Sequence, residues 1–193
     1  MTYPMKRLLL ATVFLTGLSA PSLISPAHAA CSDVPAPDVY WRRCVFDRQD
    51  LTDLDLTGAS LRDASFKRTD LSASILQGVD ARRTKFVTSE MHDVILDDAN
   101  LVRADLTKAN LKGASLKGAD LTWARMFRAD LTGADLTGAR LDNTDLLQAV
   151  LDGATWTDGE TICAEGSIGR CLRSRDTDTP DPTSDVNAAE PPA

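Results

Sequence analysis

Histidine, cysteine and long apolar runs are all scarce in this 193-residue chain, and each scarcity removes a class of function. Only His28 and His92 are present, and no Cys/His cluster of zinc type occurs, so a metal centre is not expected. Neither a Gly-rich phosphate loop nor a nucleophile elbow can be found, so no catalytic residues and no cofactor are expected. The one extended apolar stretch, Leu8 to Ala20, is too short to span a bilayer comfortably.

What is abundant is repetition. From Phe46 to Trp156 a bulky apolar residue falls at every fifth position without loss of frame, as in Leu96, Leu101, Leu106, Leu111 and Leu116. Two places earlier stands a mostly small residue, as in Ala99, Ala104, Ala109 and Ala114, with Asp, Asn or Ser usually between the two. A period of five matches neither the helical 3.6 nor the strand period of two. Short units that cannot bury their own apolar side chains must therefore stack on neighbours, which describes a solenoid. Gly recurs two places after the large residue, at Gly58, Gly113 and Gly133 among others, where a tight turn favours it. At Val79 and Ala81 small-then-large becomes large-then-small, a volume exchange that a core tolerates.

The 23 units of this A-D-L-x-x pattern resemble the pentapeptide repeat family. The resemblance implies an all-β fold, a right-handed quadrilateral β-helix with four units to a coil and about six coils. It divides the chain into an N-terminal cap over 30–45, a solenoid over 46–156 and a C-terminal cap over 157–172. Residues 173–193 are poor in large apolar side chains and read as a disordered acidic tail. At the other end Lys6 and Arg7, the stretch from Leu8 and the small residues around Ala27 to Ala29 read as a secretory signal over 1–29, cleaved after Ala29. His28 stands where lipidation of Cys31 would call for an aliphatic residue, which disfavours a lipid anchor. Removal of the signal leaves 19 cations against 28 anions, a net charge of −9, in a periplasmic or secreted protein with no transmembrane segment.

Four cysteines suit that compartment. Cys31 and Cys44 bracket the entry to the first unit, while Cys163 and Cys171 follow the last. With the six coils that the resemblance implies, at ~4.8 Å each, Cys44 cannot reach Cys163. The expected disulfides are Cys31 with Cys44 and Cys163 with Cys171, acting as end clamps where open strand edges would invite aggregation.

Aspartate is plentiful enough to suggest the paired carboxylates of glycoside cleavage, but no long loop interrupts the frame to build a cleft. These residues mostly precede the large one, where a carboxylate caps a turn amide. An enzyme is not expected. Sorted by the four faces, the outward positions give +4 on the face of Phe46 and +1 on that of Leu61, against −6 and −4 on those of Leu51 and Leu56. Charge sorted in this way suits an electrostatically steered partner. Ile75 and Ile95 stack on the Leu56 face, and Trp123, Phe127 and Leu147 gather with Arg125 and Arg128 near the edge of the Phe46 and Leu61 faces. Aromatics beside arginine mark a candidate protein contact.

The reading is an exported, non-catalytic scaffold or protein-binding rod of the cell envelope, compatible with a homodimer and with no nucleic acid as partner. Two alternatives stand beside it. Family members that protect gyrase use an acidic rod as a DNA mimic, although an export signal sends this chain to the wrong compartment. An extracellular carbohydrate binder would instead use the aromatic cluster as a stacking platform.

Overall fold

A computed structural model describes residues 31–173. The expected signal segment, its cleavage site and all but the first residue of the expected acidic tail lie outside the described residues.

The five-residue frame becomes a ladder of parallel β-bridges. Residues just before each large side chain pair with the residue twenty places on, as in Val45 with Ser65, Ser65 with Lys85, and Lys85 with Asp105. The chain therefore returns above itself after four units, and residues twenty apart form columns along a β-solenoid. Three backbone bonds per unit join successive coils: Leu96 N–H donates to the Ser115 carbonyl at 2.7 Å, Asp98 N–H to that of Lys117 at 2.8 Å, and Ser115 N–H back to that of Val94 at 2.9 Å.

Units turn their corners by closing the amide of the small residue onto the carbonyl of the large one, as Ala114 does to Leu111 at 3.1 Å, with Leu54 the exception in bonding the Ser74 hydroxyl. The residue two places after the large one takes a positive φ in every unit from Asp38 to Gly153. That is the third position of a type II turn. Glycine is thus the easiest occupant but not an obligatory one. Gly133 has φ +68° and open space where a Cβ would stand, whereas Arg83, Trp123 and even β-branched Thr88 hold φ of 57°, 61° and 58° at equivalent positions. The inter-coil bonds over-determine the turn and carry the strain.

Aspartates before the large residue cap these turns as expected. Asp135 Oδ1 accepts the Thr137 amide at 3.0 Å and the Thr137 hydroxyl at 2.5 Å, and Asp55 and Asp130 repeat the motif. The threonine is therefore half of the cap, a role its place in the repeat did not announce.

Inside, the large and small columns are dry. Leu116, Leu121, Ala114 and Ala119 are wholly buried, as are Val79 and Ala81. Where threonine replaces the small alanine it donates to a carbonyl one coil below, as Thr84 does to Leu61 and Thr69 to Phe46, both at 2.7 Å, whereas Ser89 donates to Phe86 of its own turn. Phe46, Phe66 and Phe86 stack in one column with centroids 5.1 and 5.4 Å apart, and Trp41 packs on Phe46 at 4.4 Å. Trp41 is 1% exposed. The bridged frame begins with Tyr40, one unit before Phe46, because Trp41 and Val39 already supply a large and a small residue at the right spacing.

Both ends are clamped. Cys31 is bonded to Cys44 and Cys163 to Cys171, with Cα separations of 5.4 and 4.9 Å. At the C-terminal end the chain reverses, so that Ile168 pairs antiparallel with Val150 and Ile162 with Thr155.

Candidate binding surface

The antiparallel cap covers only part of the last coil. It pairs with the segment from Ala149 to Trp156 and approaches the turn from Leu146 to Gln148 only at Gly169, and no other described residue of the cap pairs with the corner before it. One coil earlier, the amides of Leu121, Trp123, Met126 and Arg128 donate to carbonyls above them. Their counterparts in the last coil, the amides of Leu141, Asn143, Leu146 and Gln148, find no such acceptor among the described residues. Leu141 and Leu146 are correspondingly only partly buried, although both belong to the core columns.

The apolar cluster expected from the sequence adjoins this open corner. Leu147 is 63% exposed and Trp123 55%. Phe127 is half-buried and stands one coil from Leu147, the two turns being joined by the Arg128 amide and the Leu147 carbonyl at 3.1 Å. The Arg128 guanidinium lies 5.1 Å from the Phe127 centroid and donates to Gln148 Oε1 at 2.6 Å. Arg125 pairs with Asp105 at 3.3 Å. The fold therefore unites Phe127, Arg128 and Leu147. Trp123 occupies the preceding turn, tied to Asp142 by its amide, and enters none of the aromatic pairs among the described residues. Ile75 and Ile95 form a bridge as expected, and Ile95 is 37% exposed.

Much of the surface charge is engaged within the rod. Arg62 and Arg82 share Asp80 at 2.6 and 2.8 Å, Arg83 holds Asp63 at 2.7 Å, and Lys112 and Lys117 reach Asp130 and Asp135 at 3.2 Å. Exposed pairs of this kind contribute about 0–1 kcal/mol each. The earlier start of the frame adds Arg42 and Arg43 to the basic side, with Arg42 donating to the Tyr40 hydroxyl at 2.5 Å. Their spacing from Trp41 is the signal that would have placed them.

Among the described residues no group of three or more His, Cys, Asp or Glu side chains could hold a metal ion, and no helix is long and apolar enough to cross a membrane.

A family model described as pentapeptide repeats matches in eight copies, over residues 39–68, 50–86, 64–101, 95–133 and 129–155. No curated protein sequence matches. Among solved structures the chain is similar to HetL, a pentapeptide repeat protein involved in heterocyst differentiation regulation in the cyanobacterium Nostoc. The identity is 30% and the TM-score 0.48, covering 64% of each chain. It is also similar to the pentapeptide repeat protein Rfr23 of the cyanobacterium Cyanothece, at 27% identity and a TM-score of 0.36, covering 58% of this chain and 88% of that one. QnrB1, a plasmid-mediated fluoroquinolone resistance protein, follows at 18% identity and a TM-score of 0.30, covering 62% and 66%.

Proposed function

The chain belongs to the pentapeptide repeat family, and we propose that it is an exported, non-enzymatic rod that binds a protein partner through the open corner of its last coil. In this reading the solenoid is a right-handed quadrilateral β-helix of about six coils, supported by the twenty-residue spacing of its bridges. Export to the periplasm or beyond, after cleavage behind Ala29, is supported by two disulfides, which persist in oxidising compartments.

The observation that carries the binding surface is the coincidence of two kinds of unfinished structure. The corner from Leu141 to Gln148 leaves backbone donors without inter-coil acceptors among the described residues and core leucines only partly buried, and the exposed Trp123 and Leu147 and the half-buried Phe127 lie beside it. Contiguous apolar surface framed by arginine is the usual makeup of a contact hot spot.

Replacing Trp123 and Phe127 together by Ala tests this. Neither side chain belongs to the core, so the double variant should keep its melting behaviour. It should lose self-association in sedimentation velocity, or at least about tenfold in affinity for a partner captured from envelope extract. Identical sedimentation and capture for variant and parent would remove this surface from consideration. No observation favours the gyrase-binding or carbohydrate-binding alternatives over this one.

A further inference from the structure

A second site of different chemistry lies at the other end of the rod. The turns of three successive coils there frame a cleft of about 430 Å³ lined by Asp47, Arg48, Lys67, Arg68, Val87 and Thr88, a volume within the ~300–1,000 Å³ range of small-ligand sites. We propose that this cleft binds a soluble phosphate or sulfate ester carrying at least two negative charges.

The argument begins with register. Arg48 N–H donates to the Lys67 carbonyl at 2.9 Å, and Arg68 N–H to that of Val87 at 3.1 Å. These bonds hold Arg48, Arg68 and Thr88 in one column at successive coils. Two guanidinium-bearing turns are thereby fixed one coil apart, ~4.8 Å in a β-ladder, with Lys67 alongside.

Seven cations elsewhere on the rod, Arg62, Arg82, Arg83, Lys112, Lys117, Arg125 and Arg140, meet carboxylates in ion pairs, while Arg43, Lys85, Arg103, Lys108 and Arg128, spread over other turns, form no ion pair among the described residues. Arg48, Lys67 and Arg68 likewise stand in none among the described residues. The one carboxylate in the cleft, Asp47, accepts the Ser65 hydroxyl at 2.6 Å and the Lys67 amide at 2.9 Å and attracts Lys67 and Arg48 without forming an ion pair with either, so three cations face a single negative charge.

Backbone strain falls at the same place. Thr88 is the one β-branched residue among the positive-φ turn positions from Asp38 to Gly153, with φ 58°. Residues held against their preference collect where a site demands them. Here the strained turn lines the cleft, in the same column as Arg48 and Arg68.

The chemistry of the lining selects the ligand. Guanidinium forks match the paired oxygens of phosphate and sulfate, and three close cations call for more charge than one carboxylate supplies. The Val87 side chain offers an apolar rest for the organic part. An anionic bilayer is a poor occupant, because the adjoining face carries Asp50, Asp70 and Glu90 in one column and would be repelled by it.

Calorimetry on the full chain at low salt, with sodium pyrophosphate and separately with dextran sulfate, tests the proposal. Two variants remove cleft charge, Arg48→Gln/Arg68→Gln and Lys67→Gln. A third, Arg43→Gln/Arg103→Gln, removes two charges that lie outside the cleft and also form no ion pair among the described residues. Pyrophosphate binding that weakens at least tenfold in the cleft double variant, and clearly in Lys67→Gln, but under threefold in the third variant supports a small polyanion as ligand. The same pattern with dextran sulfate alone supports the cleft with a polymeric ester as its source. Equal loss in all three variants would show attraction to net charge only, and absence of binding by either probe to the parent would equally overturn the proposal.

Discussion

Leu116 and Lys117 are neighbours in the chain with opposite surroundings. The leucine is wholly buried in a dry column, while the lysine is exposed and holds Asp135 at 3.2 Å. Leu116→Asp places an unpaired charge among apolar side chains, at a penalty above about 5 kcal/mol, which equals or exceeds the stability of many domains. It should abolish folding. Lys117→Asp loses one exposed pair and should cost about 1 kcal/mol or less. Equal melting temperatures for the two variants would refute the inward and outward assignment.

The turn-capping aspartates make stability depend on acid. The Thr57 hydroxyl and then the Thr57 amide hold Asp55 below the usual carboxylate range. In the C-terminal cap the Thr161 hydroxyl, helped by the amides of Thr161 and Glu160, brings Asp158 down to about 2. A carboxylate whose folded pKa lies below its unfolded value near ~3.9 contributes its full stabilisation above that value and loses it as pH falls through the folded one. The melting temperature should therefore hold steady from about pH 8 to 5 and fall between about pH 4 and 2. Asp158→Asn should start lower at neutral pH and lose less on acidification. A variant that tracks the parent throughout would deny the cap carboxylate this role.

At the scale of the element, the C-terminal cap is a short reversal held by backbone pairing and one disulfide. Cys163 N–H donates to the Ala154 carbonyl at 2.8 Å, Leu151 N–H to Ser167 at 2.8 Å and Trp156 N–H to Thr161 at 2.7 Å. The bond from Cys163 to Cys171 closes a loop with a sequence separation of 8, for which chain entropy gives about 2–3 kcal/mol. Replacing both cysteines by Ser should lower stability by that order. Because each coil contacts only its neighbours, the loss should appear first as faster hydrogen exchange from Ala149 to Trp156, with the coils around Leu101 unchanged. Uniform acceleration along the rod would contradict an end clamp.

For the whole molecule the governing number is the twenty-residue return. Deleting residues 96–115 removes one coil and lets Leu116 take the place of Leu96, so every interior and charge column continues. The shortened protein should fold and lose about 4.8 Å of length in small-angle scattering. Deleting only residues 96–98 turns the following inward positions outward and should leave the chain unfolded. Similar circular dichroism and melting for the two deletions would be incompatible with stacked columns.

The sequence alone determined the unit, its inward residues and the caps, because a five-residue pattern of large and small side chains has few ways to hide its leucines. It also marked the Asp turn caps and both cysteine pairs. It did not mark the start at Trp41, since one more unit beside a cysteine reads equally well as cap. Tertiary structure alone decided the rest. Residues twenty apart become neighbours only once the coil has closed, and only then do Phe127 and Leu147 share a column and Arg62 and Arg82 share Asp80. The antiparallel cap bonds the segment from Ala149 to Trp156 and leaves the amides of Leu141, Asn143, Leu146 and Gln148 without an inter-coil acceptor among the described residues. That choice depends on where a reversed strand finds donors and acceptors, which no five-residue period records.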